Sequence, residues 1–222
     1  MPSVKIKKHA PENDMTPFVD VAFLILSFFM LATKFKPEEP VEVTTPNSVS
    51  SQALPEKDAF MVSIDKDGRV FVSMDNPQSR KLLIENLNTT RNLGLTTAEV
   101  KNFINAPSIG VPFSQLKSLL SLDPEAESTK NALKQQPGIP CADSTGGELN
   151  FWIRDALSAY SGKKLNLLIK SDNSTKYPAF KNVLSAFKQN EQNKFLLVTS
   201  PEDAPPGTAL FETRQKQILS GK

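Results

Sequence analysis

Hydrophobic positions are distributed very unevenly along this chain. From Met15 to Thr33 nearly every residue is apolar, whereas beyond residue 58 the apolar positions recur at intervals of two, or of three to four. The first run predicts a helix about 28 Å long at about 1.5 Å per residue, close to the roughly 30 Å hydrocarbon thickness of a bilayer. Asp14 or Thr16 can cap its start, and Pro17 is tolerated in a first turn whose N–H groups lack partners. At the far end Lys34 and Lys36 can snorkel while Phe35 sits at the interface. The predicted spanning helix is therefore 15–35, preceded by a short tail over 1–14.

After the helix, Pro37 to Pro46 is rich in Pro and β-branched residues and predicts an extended linker over 36–58. A folded domain over 59–200 opens with Phe60 to Ile64 and Val70 to Val72 around Asp65-Lys66-Asp67-Gly68, a β-hairpin by its alternation and its glycine-containing turn. Leu149, Trp152, Ile153, Ala156, Leu157 and Tyr160 recur at helical spacing behind a Thr145-x-x-Glu148 capping box. Core packing is the preferred reading of Trp152 and Tyr160 over a ligand platform. Leu165 to Ile169 reads as a strand, Phe180, Val183, Leu184 and Phe187 as a helix face, and Phe195 to Thr199 as a further strand. Runs of this kind predict a small α+β domain with helices on one sheet face. Between them, 80–144 predicts a helical insertion, with Thr96-x-x-Glu99 starting one helix and Leu116, Leu119 and Leu120 marking a second apolar set. The tail 201–222 carries Leu210, Phe211, Ile218 and Leu219 and reads as loosely docked or helical.

Asp20 is the one charge inside the apolar run. A carboxylate at the centre of a membrane helix costs on the order of 2.5 to 3.5 kcal/mol, so such residues face a partner or a water-filled path. Thr16, Asp20 and Ser27 are spaced by four and seven and share one helix face. That face expects a polar partner; the alternative is that Asp20, near the helix start, complements the helix dipole. The acidic residue and the lack of a small-x-small site after Leu31 favour an uncleaved anchor over a signal peptide. Lys5, Lys7 and Lys8 favour a cytoplasmic N-terminal side.

Composition narrows the function. The net charge of +2 over 222 residues, with both signs scattered, leaves no nucleic-acid footprint. Cys141 is the single cysteine, which excludes an internal disulfide or a CxxC pair, and it reads as packed or incidental. His9, the single histidine, lies in the basic tail, so a Ser-His-Asp triad, a His-paired thiol or a multi-His metal site has no imidazole in the folded part. No catalytic residue, metal site or cofactor is expected, and the chain does not read as an enzyme. Lys170 and Asp172 are candidate partner contacts, with solvated charge the preferred reading.

Asp14-Met15-Thr16-Pro17-Phe18-Val19-Asp20-Val21, followed by Leu24 to Met30, resembles the membrane helix of the ExbD/TolR family. A second match runs through Leu167 to Asp172, Tyr177, Val183, Leu184 and Phe195 to Val198, similar to the family's strand-helix-strand close. Where members often carry Val-x-Leu-Pro, this chain has Val43-Thr44-Thr45-Pro46, and the block 80–144 is longer than the usual connection. The resemblance implies a single-pass subunit of the bacterial inner membrane with a periplasmic domain. It implies an ExbB/TolQ-like multi-span partner, a TonB-like transducer, self-association as a homodimer, and Asp20 as the proton-responsive residue. An ExbD-like subunit would couple proton-motive force to TonB-dependent outer-membrane transport. The alternative is a TolR-like or stator-like anchor that tethers the envelope, with peptidoglycan as a further partner.

Overall fold

The computed structural model describes residues 15–32, 41–50, 54–55, 57–123, 126–141, 147–160, 164–209 and 211–212. His9, the lysines of the two flanks, Phe35, Thr145, Leu210, Ile218 and Leu219 lie outside the described residues. The chain divides into two compact units, Met1–Glu38 and Glu39–Lys222.

In the first unit, α1 runs Thr16–Ala32, 17 residues, or about 26 Å at about 1.5 Å per residue. Val19 N–H donates to Met15 O, so Thr16 lies inside the first turn and does not cap it. Among the described residues no helix is long and apolar enough to cross a membrane. The end of the predicted 15–35 span lies outside those residues.

The second unit is built on a four-stranded sheet of order β3-β2-β4-β5. Strands β2 (Ala59–Ile64) and β3 (Val70–Met74) form the predicted antiparallel hairpin, with Phe60 opposite Met74 and Ile64 opposite Val70. Alternation puts Phe60, Val62 and Ile64 in the core at 0% exposure. The turn is held by Asp65, whose carboxylate accepts from Asp67 N, Arg69 N and Arg69 Nε, while Gly68 supplies a φ of 81°. Strand β4 (Asn166–Ser171) lies parallel to β2, and β5 (Leu196–Val198) parallel to β4. A separate two-stranded parallel pair joins β1 (Asn47–Ser48) to β6 (Ser200–Pro201). The extended linker expected over 36–58 thus includes a short paired strand.

Among the described residues, five helices separate β3 from β4. They are α2 (Pro77–Arg91), α3 (Thr97–Asn105), α4 (Phe113–Leu120), α5 (Glu127–Lys134) and α6 (Gly147–Ala159), and α7 (Tyr177–Gln189) joins β4 to β5. Asn76 caps α2 by accepting from Gln78 N and Ser79 N ahead of Pro77, and α2 stops at Asn92 in the left-handed region. Thr96 and Glu99 form the predicted capping box on α3. Leu83, Ile84 and Leu87 of α2 share one core with Leu149, Trp152, Ile153 and Ala156 of α6. Trp152 is fully buried and stacks between Phe103 at 5.9 Å and Phe113 at 5.6 Å, which places it in the core and not on a ligand platform.

The segments between the helices are stitched to the sheet edge. Ile109 and Val72 exchange backbone hydrogen bonds of 2.8 and 2.9 Å, and Ile139 N–H donates to Val70 O. Gly110 packs so tightly on Phe71 that an added Cβ would lie 2.1 Å from the ring. Arg80 holds the same corner, donating from Nε to Met74 O and from Nη1 to Ile104 O and Ala106 O. Burial lowers the basicity of its guanidinium. Burial also pushes the Cys141 thiol up, as for a packed cysteine.

Candidate functional site

On α1 the sequence places Thr16, Asp20 and Ser27 within about 40° of one another at about 100° per residue. Around this narrow stripe the helix is apolar and solvent-facing, from Phe18 at 73% exposure to Leu31 at 88%. A helix apolar on nearly every side belongs in a protein core or in lipid, and α1 has no buried residue within its own unit. The stripe is not uniform in its needs. Ser27 donates its hydroxyl to Leu24 O at 2.9 Å, so its polarity is satisfied inside the helix. Asp20 sits in an open depression lined by Met15, Thr16, Val19 and Phe23, and no ion pair to it occurs among the described residues. Of the three predicted stripe residues, Asp20 is thus the carboxylate that an apolar setting leaves to be compensated from outside.

The second polar focus lies where the segment after β4 meets the start of the second unit. Asp172 Oδ1 accepts from Ser174 N at 2.8 Å and Oδ2 from Thr44 N at 2.9 Å. These two backbone donors, Ser174 first, hold its carboxyl below the usual aspartate range. Asn173 N–H returns a bond to Thr44 O at 2.8 Å, and Thr45 Oγ1 and Ser200 Oγ lie 2.7 Å apart. Asp172 is a partly exposed charge, as preferred from the sequence, and its carboxylate also fastens Thr44 at the start of a strap, residues 44–48, that lies against the domain. Sequence reasoning picked out Asp172 but missed its role. The local signal was the Asp-x-Ser turn in which the side chain of Asp172 caps Ser174. Lys170 is half-buried on β4. Among the described residues no group of three or more His, Cys, Asp or Glu side chains converges.

The family model described as biopolymer transport protein ExbD/TolR matches residues 6–202, spanning both units and the inserted helices. The chain belongs to the ExbD/TolR family. No curated protein and no solved structure matches the chain. ExbD/TolR membership carries a general role in energy-transducing biopolymer transport, and members are non-catalytic accessory subunits typically anchored in the inner membrane. Association with ExbB/TolQ-like and TonB/TolA-like proteins goes with the ExbD/TolR family in the same general sense.

Proposed function

We propose that this chain is an ExbD-like subunit of an inner-membrane proton channel and motor, with Asp20 as the group that takes up and releases the proton. In this reading the helix 15–35 spans the membrane once, with the N-terminus cytoplasmic and the domain periplasmic. An ExbB/TolQ-like partner surrounds a homodimer of such helices, and a TonB-like protein carries the force to outer-membrane receptors. The observation that carries the reading is the exposed carboxylate on a helix with an apolar surface on nearly every side.

The energy scale is adequate. One elementary charge crossing the membrane carries about 2.3 kcal/mol per 100 mV, comparable to the roughly 2.5 to 3.5 kcal/mol cost of a carboxylate at a helix centre. Neutralising Asp20 by a proton therefore changes which surroundings it prefers by enough to bias one motion. Asp20→Asn keeps the shape and removes the titration. It is expected to leave the complex assembled, as judged by co-purification in mild detergent, and to abolish energised uptake; wild-type uptake by that variant sinks the proposal.

One observation favours a second reading, a TolR-like or stator-like tether acting on the envelope or on peptidoglycan. Ser27 needs no outside partner, so the polar stripe shrinks toward the helix start, where a carboxylate also complements the helix dipole. A tether tolerates Asp20→Leu as well as Asp20→Asn, which separates the two readings.

A further inference from the structure

The strap is fastened to one corner of the second unit, where three elements meet. Thr44 is bonded there to Asp172 and Asn173. Asp172 N–H donates to Ile64 O at 2.9 Å and Thr175 Oγ1 to Asp65 O at 2.9 Å, which binds the segment after β4 to the turn of the β2–β3 hairpin. The same turn touches the first turn of α7, since a Cβ on Gly68 would lie 3.1 Å from Ala179 Cβ. Lys66 of the hairpin turn and Lys176, Tyr177 and Lys181 of the α7 start are all exposed. Tyr177 and Lys181, four apart, share one helix face. At 69% exposure Tyr177 is the most exposed large apolar side chain among the described residues of this unit.

Chain length decides what this corner meets. Where the membrane span ends at 35, Thr44 follows nine residues later, and nine residues reach at most about 30 Å at about 3.3 Å each. The unit Glu39–Lys222, with a radius of gyration of about 16 Å for its length, is roughly 40 Å across. A tether shorter than the unit is wide keeps its point of fastening toward the bilayer. Tethering also sets the affinity required, because a short linker gives an effective concentration on the order of millimolar. A contact with a dissociation constant near that value is then about half made. Each lysine near an anionic lipid surface contributes roughly fivefold. Asp67 and Asp172 lie among the lysines and offset part of this, although both carboxylate oxygens of Asp172 already accept from Thr44 N and Ser174 N. An exposed tyrosine, apolar along the ring and polar at its tip, suits the headgroup boundary.

We propose that the corner bearing Lys66, Lys176, Tyr177 and Lys181 rests on an anionic phospholipid surface, with the lysines on the phosphates and the Tyr177 ring among the headgroups. This contact rests on the single-pass reading of α1. It places Asp75 and Asn190, at the far ends of the hairpin and of α7, about 20 Å from the corner along their elements.

The test uses the full chain in nanodiscs of phosphatidylcholine, alone or mixed two to one with phosphatidylglycerol, doped with a gadolinium-chelating lipid. Paramagnetic broadening of amide NMR signals is the readout. In the mixed discs the amides of Lys66, Lys176 and Tyr177 are expected to broaden at least fivefold more than those of Asp75 and Asn190, with a smaller excess in phosphatidylcholine alone or at high salt. The double variant Lys66→Gln with Lys176→Gln, its urea midpoint by Trp152 fluorescence unchanged, is expected to cut the excess at Tyr177 at least fivefold. Equal broadening at the corner, Asp75 and Asn190, or an excess that the double variant leaves unchanged, overturns the proposal. Broadening of Thr16 and Met30, near the ends of α1, with none at the corner overturns the contact and leaves α1 in the bilayer. Absence of broadening at Thr16 and Met30 overturns the single-pass reading and the contact with it. An excess that follows the number of chains per nanodisc overturns the proposal in favour of a contact between copies.

Discussion

Gly110→Ala is the sharpest test of how the inserted helices are joined to the sheet. The added methyl would sit 2.1 Å from Phe71 Cδ1 and 2.5 Å from Cε1, where carbon atoms prefer about 3.5 to 4.0 Å. The ring must therefore retreat by about 1.5 Å. Phe71 is 1% exposed, so retreat means disturbing packed neighbours, and overpacking of this kind costs about 1 to 3 kcal/mol. Gly110 cannot easily move instead, because its N–H donates to Gln136 Oε1 and its carbonyl accepts from Gly138 N–H. A loss near the top of that range, about 3 kcal/mol, corresponds to a fall of about 6 to 12 °C in Tm for a unit of this size. Trp152 is the single tryptophan and is fully buried, so its fluorescence during urea unfolding of the full chain in detergent reports this unit. Phe71→Ala costs about 3 to 5 kcal/mol alone, but it removes the obstacle. Gly110→Ala is then expected to add less than about 0.5 kcal/mol in the Phe71→Ala background, a coupling that a double-mutant cycle reads directly. Equal cost in both backgrounds refutes the steric account.

Three other outcomes follow from the geometry. Arg80→Met strands the carbonyls of Met74, Ile104 and Ala106, and a loss of about 2 to 4 kcal/mol with an unchanged urea m-value is expected; Arg80→Lys restores little, since one ammonium cannot reproduce the two arms of the guanidinium. Asp172→Ala removes the acceptor of Thr44 N–H and Ser174 N–H, so amide exchange of Thr44 and Asn173 is expected to accelerate at least tenfold while that of Val62 and Ile169 in the central strands is unchanged. Because the folded carboxyl of Asp172 titrates below its ordinary value, its contribution is complete at neutral pH. It is lost as pH falls below about 3.9 and through the lowered value; the Thr44 and Ser174 amide signals are expected to shift together in that acidic window and to stay constant between pH 5 and 8.

How much of this was legible in the sequence depended on whether the information was local. The hairpin was readable because Phe60, Val62 and Ile64 alternate inward and a Gly-containing turn follows. The helix around Trp152 was readable because Leu149, Trp152, Ile153 and Ala156 fall on one buried stripe. Helix α2 was missed, since only Ser79, Leu83, Ile84 and Leu87 of its fifteen residues are buried and Leu82 between them is exposed. Its Asn76-Pro77 start carried a capping signal that went unread. Helix α5 is equally polar and has no side-chain cap. Asp20 stood out because its anomaly lies within a single helix. The clamp at Asp172 did not, because Thr44 is 128 positions away and nothing in either neighbourhood announces the other. The β1 and β6 pairing is hidden for the same reason.

The strap also has a mechanical meaning. Residues 44–48 are fastened by Thr44 N–H to Asp172, Thr44 O to Asn173, the Thr45 and Ser200 hydroxyl pair, Pro46 O to Ser200 N–H and Ser48 O to Glu202 N–H. Tension directed along the strap loads these fastenings together, in shear. Tension lifting it off the surface opens them one at a time from Thr44, like a strip peeled from its end. The same few bonds thus make a stiff coupling for one direction of pull and a weak latch for the other, with Asp172 as the first point to yield.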